Sequence, residues 1–330
     1  MFIYTVVDSV LRGVYAVVIA LSTQRYRRCE LISQKLKTLC TVLIILITFT
    51  AQAQQAPDNS NLSASYSKIS DLNYAVAGDY HLLLDVYLPK DAINPPLIVY
   101  IHGGAWRSGS KDSVPIMPLI EDGFALASVE FRMSEQAMFP AQMHDLKAAI
   151  RFLRGNAKQL GYNANKIGVL GSSSGGHLAA LMGVSNGDAA LEGELGEYRD
   201  QSSAVQAVVS YFGASNLTSI LDQSTPFGLN VRVPALDLFI GGQPADQTEL
   251  ARLASPVFHV DADSAPLFML HGDQDPQMPI NQSHELHSAY KQHGVPVQFE
   301  VVHGSAHGGA AFYDASNNAL VSAFLNTYLR

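Results

Sequence analysis

Cysteine is scarce in this sequence: the 330 residues include only Cys29 and Cys40, and both lie within the first 53 residues. If residues 1–53 are removed as a leader, the remaining chain has no cysteine at all. A disulfide, a thiolate nucleophile and a cysteine-based metal site are then excluded from that chain.

Charged residues are also few, at 15% of the chain, and basic residues form no cluster after residue 53. The whole chain carries a net charge of −8, and residues 1–53 are net positive, so the remainder is more acidic still. This balance argues against nucleic acid or an anionic membrane as a partner of the mature domain. Because no His, Asp and Glu residues recur at metal-ligand spacing, we expect no metal and no other cofactor.

A hydrophobic run long enough to cross a membrane is missing as well, since that needs roughly 20 apolar residues. The apolar stretch Leu39–Phe49 is shorter, follows Lys35 and Lys37, and is followed by the small-x-small sequence Ala51-Gln52-Ala53. These three parts predict a secretory signal that ends at residue 53, and therefore export to the periplasm or the outside of the cell.

The residues before Lys35 are unusual for a leader because they include Arg25, Arg27 and Arg28 and a first apolar patch, Val14–Leu21. We interpret them as the result of a translation start assigned too early, with initiation near Leu31; a two-segment membrane anchor is the competing interpretation. Residues 54–65 are polar and rich in Ser and Asn, which indicates a flexible linker. Residues 66–330 are expected to form one catalytic domain.

Strand-type and helix-type segments alternate along this domain. Nearly unbroken apolar runs indicate strands covered on both faces, and apolar residues at helical spacing indicate a helix over 140–161 that begins at Pro140 and ends at Gly161. The other predicted segments are strands at 81–89, 96–104, 124–132, 166–171, 205–213, 266–272 and 297–304, and helices at 281–293 and 311–329. The alternation predicts an α/β fold with a mostly parallel sheet and helices on both faces.

Three consecutive serines follow strand 166–171 and precede an apolar helix. The segment from Gly171 to Gly175 fits the pattern G-x-S-x-G, which places Ser173 at a tight strand-to-helix corner where larger flanking residues would clash. Ser173 would present its hydroxyl there, and the backbone N–H of Ser174 would point at a developing oxyanion. A Ser/Gly turn that caps a helix fits the same five residues, so the motif alone is only moderately specific.

Two other strand ends supply the remaining parts of a serine hydrolase. The upstream sequence His102-Gly103-Gly104-Ala105-Trp106 is a glycine-rich turn, in which the N–H groups of Gly104 and Ala105 would complete an oxyanion hole. Downstream, an acid and a histidine must follow Ser173 in that order. The candidates are Asp273 and Asp275 for the acid, and His303 and His307 for the base.

With these motifs the chain resembles the α/β-hydrolase serine esterases, in particular the branch of bifunctional feruloyl and acetyl-xylan esterases related to hormone-sensitive lipase. The resemblance covers residues 80–310 and is carried by the segments YIHGGAWRSGSK, VEFRMSEQAMFPAQMHDLKAAIRFLR, IGVLGSSSGGHLAAL, HGDQDPQMP and GSAHGG. It implies that Asp275 is the catalytic acid and His307 the base. The family usually has alanine where this chain has Ser174, so the role of the Ser174 hydroxyl is open.

Several other polar residues are expected to be structural. His177 would pack behind the corner, Asp145 would anchor a nearby loop, and His144 and His271 would take no direct part in the chemistry. Residues 214–256 are predicted to form a short cap over the site. Its apolar residues would either line an acyl pocket or simply pack; they are Leu221, Phe227, Leu236, Leu238 and Phe239.

These observations favour an exported serine carboxylesterase that uses an acyl-enzyme to hydrolyse short-chain or carbohydrate-linked acyl esters. The same groups could cleave amides, as in an arylformamidase, whose family also uses a His-Gly-Gly-x-Trp motif, or in a prolyl-oligopeptidase-like enzyme. A non-catalytic binding protein of the same fold is less favoured, because such proteins normally lack a member of the triad. The acyl group, the alcohol and the oligomeric state are left open.

The leader prediction has a direct test. Because signal peptidase cuts after a small-x-small sequence, we expect the exported protein to begin near Gln54. N-terminal sequencing of protein from the periplasm or medium checks this, and a cell-associated protein that retains residues 1–53 would contradict it.

Overall fold

The computed structural model describes residues 65–330. The predicted leader, residues 1–53, and linker residues 54–64 lie outside the described residues. Within the described part, no helix combines the length and the apolar character needed to cross a bilayer.

One sheet of eight strands runs through residues 65–330, in the spatial order β1-β2-β4-β3-β5-β6-β7-β8. The strands are β1 (Tyr66–Ala77), β2 (Tyr80–Pro89), β3 (Pro96–Ile101), β4 (Ala125–Val129), β5 (Asn163–Ser172), β6 (Ala207–Tyr211), β7 (Leu267–Gly272) and β8 (Val297–Val302). Strands β1, β2 and β4 pair antiparallel, and every pair from β4 to β8 is parallel. The predicted mostly parallel sheet is therefore confirmed.

The helices lie between the strands. They are α1 (Ala141–Leu160), α2 (Ser174–Val184), α3 (Ala189–Glu192), α4 (Ile220–Gln223), α5 (Pro226–Ile240), α6 (Thr248–Leu253), α7 (Asn281–Gln292) and α8 (Ala315–Leu329), with short 3₁₀ turns at Met117–Ile120, Pro256–Phe258 and Ala310–Tyr313. The predicted helix 140–161 is confirmed as α1, with Gly161 in the left-handed C-cap conformation. The predicted helix 311–329 is divided, because Asp314 caps α8 and separates it from the preceding 3₁₀ turn.

Strand β3 shows why the central strands read as continuous apolar runs. Its residues Leu97, Val99 and Ile101 belong to a core shared with α1 and α2, whereas Ile98 and Tyr100 belong to a second core shared with α8. All five side chains are buried. Because successive side chains of a strand point to opposite faces, a strand with helices on both sides must be apolar at every position.

Strand β1 was not predicted from the sequence. Its twelve residues are mostly exposed or half-buried, and polar residues interrupt its first eight positions. It pairs on one side only, with β2, so it lacks the apolar run that identified the central strands. Several predicted strands also end early, since the polar or glycine residues that follow β3, β4 and β8 form loops instead.

An ion-pair network ties the loop after β3 to the antiparallel edge of the sheet. The buried carboxylate of Asp85 lies 2.7 Å from Nζ of Lys68 and 2.9 Å from Nζ of Lys111, and it accepts the backbone N–H of Asp71 at 2.9 Å. Burial alone would raise the pKa of Asp85, but these donors lower it below its ordinary value. Lys111 lies in the loop that begins with the glycine-rich turn, five positions after the end of the turn at Trp106, so the network fixes the far end of that loop.

We expect Asp85→Asn to lower the free energy of unfolding by about 1–2 kcal/mol at neutral pH, because Lys68 and Lys111 lose a buried carboxylate while Asp71 still lies 2.9 Å from Nζ of Lys111. The lowered pKa means that the wild-type contribution is present above about pH 4 and is lost as the pH falls through the native pKa. Urea denaturation at pH 7 and pH 3 measures both effects.

Asp79→Asn is the matched control, because Asp79 is exposed in the turn between β1 and β2. It should change stability by less than about 0.5 kcal/mol. Equal effects of the two substitutions would show that the network around Asp85 contributes nothing.

Candidate active site

The corner between β5 and α2 has an unusual backbone. Ser173 has φ 55° and ψ −119°, a region that residues other than glycine rarely occupy. Two main-chain hydrogen bonds hold it there: its N–H donates to the carbonyl of Tyr211, and its carbonyl accepts from the N–H of His177, both at 2.9 Å. The corner presents Ser173 at the carboxyl end of the parallel strands, where open α/β sheets bind their ligands.

The glycines beside this serine are required by close backbone contacts. A Cβ added at Gly171 would lie 2.1 Å from the carbonyl oxygen of Gly175, and one added at Gly175 would lie 2.1 Å from that of Ile101. No side chain fits at such distances, and the neighbours are main-chain atoms that cannot rotate away. The two glycines of the G-x-S-x-G pattern are thus required because the main chains of β3, β5 and α2 pack closely around this corner.

Of the three serines, only Ser173 meets a base. The hydroxyl of Ser172 hydrogen-bonds the phenol of Tyr100 at 2.8 Å. Ser174 is completely buried, and its Oγ has no hydrogen-bond partner among the described residues. Oγ of Ser173 lies 2.9 Å from Nε2 of His307.

Asp275 completes a relay with His307. Its Oδ2 lies 2.7 Å from Nδ1 of His307. An ionised carboxylate only accepts hydrogen bonds, so Nδ1 carries the proton and Nε2 is free to accept the proton of Ser173. The structure therefore brings together the three residues that the resemblance assigned to the triad.

The other acid and histidine form a separate pair at the surface. Asp273 and His303 contact each other at 2.8 Å, and the side chain of His303 is 84% exposed. Neither residue has a contact with Ser173 among those that the structure shows. The spacing of these residues along the sequence fits both acid–histidine pairs. In the fold, only the pair of Asp275 and His307 contacts Ser173.

The surroundings of Asp275 keep it ionised. Burial alone would raise its pKa, but hydrogen bonds from His271 and His307, together with the backbone N–H of Met278, lower the pKa well below its ordinary value. Its Oδ1 also accepts the N–H of Gln277 at 2.8 Å. His271 was predicted to be structural, and it is fully buried, with its ring held by the hydroxyl of Ser283 and the carbonyl of Met278.

The imidazole of His307 is held in the neutral form. Burial lowers its pKa below the ordinary histidine value; the hydrogen bond and charge of Asp275 oppose this shift but do not reverse it. The ring of Phe212 packs against the imidazole at 4.8 Å between centroids. A neutral imidazole with a free Nε2 is the form that can accept the proton of serine.

The glycine-rich turn after β3 lies directly against the corner. A Cβ at Gly103 would be 3.3 Å from Cβ of Ser173. Gly104 and Ala105 follow with φ 117° and 55°, so the chain turns sharply beside the hydroxyl. The roles of Gly104, Ala105 and Ser174 as oxyanion donors stay a prediction, which this placement supports.

Trp106 anchors the turn to α2 through His177. Its Nε1 donates to Nδ1 of His177 at 3.1 Å, and Nε2 of His177 donates to the carbonyl of Ala254 at 2.6 Å. Burial lowers the pKa of His177 to about 4, in agreement with a neutral ring that accepts at one nitrogen and donates at the other. The prediction that His177 packs behind the corner is confirmed.

The helix α1 carries no part of the site. Asp145, predicted to anchor a loop, binds Arg132 through both carboxylate oxygens and also accepts its backbone N–H at 2.9 Å. His144 lies nearby, with Nε2 3.1 Å from the carbonyl of Ala190. Both residues are structural, as expected.

The segment 214–256 forms the predicted cap from α4, α5 and α6. Leu236 and Phe239 are completely buried, and Phe239 stacks on Trp106 at 4.4 Å, so these two residues pack the cap onto the glycine turn. Phe227 is more than half exposed. Leu221 and Leu238 are half-buried, and a role in binding an acyl group stays a prediction for them.

Sequence reasoning missed one charged residue of the cap, Arg232, which is fully buried. Its charge acts on Asp275 and His307. The helical spacing contained a signal: Arg232 precedes the buried Leu236 and Phe239 by four and seven positions, which places all three on one face of α5. Within residues 65–330, no group of three or more His, Cys, Asp or Glu side chains could hold a metal ion.

A family model described as BD-FAE matches residues 84–290, which is more than half of the chain. The chain is also similar to Esterase LipQ of Mycobacterium tuberculosis, with 30% identity over 235 residues, 69% of this chain and 54% of the relative. It therefore spans about half the length of the curated relatives it matches.

Two solved structures are similar at 32% identity. One is a truncated form of a carbohydrate esterase from gut microbiota, with a TM-score of 0.73 over 80% of this chain and 97% of that one. The other is a bifunctional GH43-CE protein of Bacteroides eggerthii, with a TM-score of 0.71 over 79% of this chain and 35% of that one. These likenesses confirm the α/β-hydrolase fold predicted from the sequence.

The lowered pKa of His307 predicts the pH dependence of any reaction that uses it as a base. Activity should rise with pH as His307 loses its proton, with a midpoint below the ordinary value of about 6.5, and should be level at neutral pH. The measurement is kcat/KM for p-nitrophenyl acetate between pH 4 and pH 9. A midpoint above pH 7 would contradict the burial-dominated environment of this imidazole.

Proposed function

Since this chain belongs to the BD-FAE family of α/β-hydrolase esterases, we propose that it is a serine carboxylesterase that hydrolyses short-chain or carbohydrate-linked acyl esters. The observation that carries the proposal is the unbroken relay from Ser173 through His307 to Asp275, with contacts of 2.9 and 2.7 Å. A hydroxyl at a strained corner, a neutral base and a buried carboxylate are the parts that acyl transfer needs.

The first half of the reaction forms an acyl-enzyme. Oγ of Ser173 attacks the carbonyl carbon of the ester while its proton passes to Nε2 of His307. Asp275 stabilises the imidazolium that results, and the N–H groups of Gly104, Ala105 and Ser174 stabilise the oxyanion. The C–O bond then breaks, and the alcohol leaves with the proton from His307.

The second half restores the enzyme. His307 takes a proton from a water molecule, whose oxygen attacks the acyl carbon. The tetrahedral intermediate collapses, the carboxylic acid leaves, and the proton on His307 returns to Oγ of Ser173. No further cofactor is needed for either half.

Two features support the substrate class. The similar structure from gut microbiota is described as a carbohydrate esterase. The cap of this chain is short, and the N-terminus of α5 contacts the loop that carries Asp275. Thr225, the N-cap of α5, donates to the carbonyl of Pro276 at 2.5 Å. A cap held this close to the triad favours small acyl groups over long ones. The signal-like segment before residue 54 supports an activity outside the cytoplasm.

A panel of esters tests this function. We expect p-nitrophenyl acetate and butyrate to be hydrolysed strongly in preference to the palmitate. Acetylated xylan and methyl ferulate are included in the panel as natural ester types. Ser173→Ala should reduce every activity at least about 10³-fold with the fold intact. Circular dichroism and release of p-nitrophenol measure the two properties.

Ser172→Ala and Ser174→Ala are the matched controls, because each removes one hydroxyl of the same triplet. Both should retain activity within about tenfold, since only the backbone of Ser174 has a proposed role. If Ser174→Ala is as inactive as Ser173→Ala, the nucleophile is misassigned. Turnover of N-formylkynurenine above every ester would replace the esterase proposal with an amidase.

A further inference from the structure

Arg232 is a completely buried cation on the cap helix α5. Its Nη1 and Nη2 atoms have no hydrogen-bond partner within residues 65–330, and its Nε donates one long bond of 3.4 Å to the carbonyl of Gln277. Burial lowers the pKa of Arg232 to about 10, so the side chain keeps its charge at neutral pH. A buried cation with unused donors is costly and is rarely retained without a function.

Two other arginines, the partly buried Arg132 and the buried Arg151, each pair with a carboxylate, although Nε of Arg151 also lacks a partner within the described residues. Arg132 forks onto the carboxylate of Asp145 through Nε and Nη2. Arg151 donates through both Nη atoms, to Glu192 and to a backbone carbonyl. Arg232 differs from both because the ends of its guanidinium fork meet no acceptor of the described domain. It therefore has no structural role comparable with theirs.

The triad acid does not supply the missing partner. Asp275 is the carboxylate whose charge acts on Arg232, yet no ion pair within 4 Å joins them in the part of the chain that the structure describes. The two oxygens of Asp275 already face four N–H groups, two from the backbone after it and two from imidazole rings. A fifth donor would find no free lone pair in favourable geometry.

The guanidinium nevertheless acts on the reacting groups. The N-cap of α5, Thr225, hydrogen-bonds the loop that carries Asp275. The positive charge of Arg232, on the same helix, lowers the pKa of His307. A fixed cation there opposes the imidazolium that forms on His307 when Ser173 attacks. A negative group bound to Arg232 would remove this penalty, so the charge balance of the site improves when an anion is present.

We propose that Arg232 is a substrate-binding residue whose two Nη atoms hold a carboxylate of the substrate, so that the preferred esters carry a second, free carboxylate. The planar fork of a guanidinium matches a carboxylate in a bidentate pair. This inference rests on the proposed esterase function for its kinetic test, whereas its binding test does not depend on turnover.

The binding test uses benzoate and its neutral counterpart benzamide with the Ser173→Ala protein, which cannot turn over an ester. Titration calorimetry should show benzoate bound at least about tenfold more tightly than benzamide, because a charged hydrogen-bonded pair is formed only with the anion. Adding Arg232→Met should remove the difference. Arg252→Met is the matched control, since Arg252 is an exposed arginine on the neighbouring cap helix α6, and it should leave the difference unchanged.

The kinetic test separates the acyl side from the alcohol side of the substrate. The acyl pair is p-nitrophenyl hemisuccinate against p-nitrophenyl butyrate, and the alcohol pair is 4-acetoxybenzoate against 4-acetoxybenzamide. In one of the pairs the wild-type protein should favour the carboxylate member by at least about tenfold in kcat/KM. Arg232→Met should abolish that preference and not only lower both rates.

Thermal unfolding distinguishes binding from structure. If Arg232 is retained for substrate, Arg232→Met should unfold at the same temperature or higher, because an unsatisfied buried charge is replaced by an apolar chain of similar length. Equal affinity for benzoate and benzamide in the Ser173→Ala protein would overturn the proposal, as would an unchanged preference in Arg232→Met. If benzoate binds through Arg232 but no ester is hydrolysed, the esterase function fails while the carboxylate site stands.

Discussion

The left-handed backbone of Ser173 is the constraint on which the rest of the site depends. Such a conformation costs a non-glycine residue about 1–3 kcal/mol, and it persists because neighbouring main chains hold it on both sides. The carbonyl of Tyr211 and the N–H of His177 bind its peptide groups. The flanking glycines let β3 and α2 approach within contact distance, so the same packing that strains the serine also places the glycine-rich turn beside it.

The pKa values of Asp275 and His307 are set by burial and by the hydrogen-bond donors that oppose its effect. Asp275 lies in a dry position where a carboxylate would ordinarily take up a proton, and its hydrogen bonds reverse that tendency. His307 has only one strong partner, so burial prevails and its ring stays neutral. The pKa values of both members of this hydrogen-bonded pair are lowered, with different consequences. Asp275 stays an anion that can orient the imidazole, and His307 stays neutral, the form that can accept a proton.

The sequence predicted what depends on local pattern and left open what depends on distant contacts. Continuous apolar runs identified the central strands, because both faces of β3 and its neighbours are buried, but the mostly exposed β1 carries no such run. The choice of Asp275 and His307 came from a family resemblance, because Asp273 and His303 have almost the same spacing. Only the fold shows that the second pair stands apart at the surface.

Arg232 illustrates a further limit of sequence reasoning. Its position on the buried face of α5 follows from helical spacing, but the lack of an acceptor for its fork is a property of the packed cap and appears only in three dimensions. The domain tolerates this cation and the strained corner together because its sheet is buried on both faces, which supplies stability far from the site. Costs of this kind gather where binding and chemistry occur. An unsatisfied cation whose charge acts on Asp275 and His307 is therefore better explained by a bound anion than by the folding of the cap.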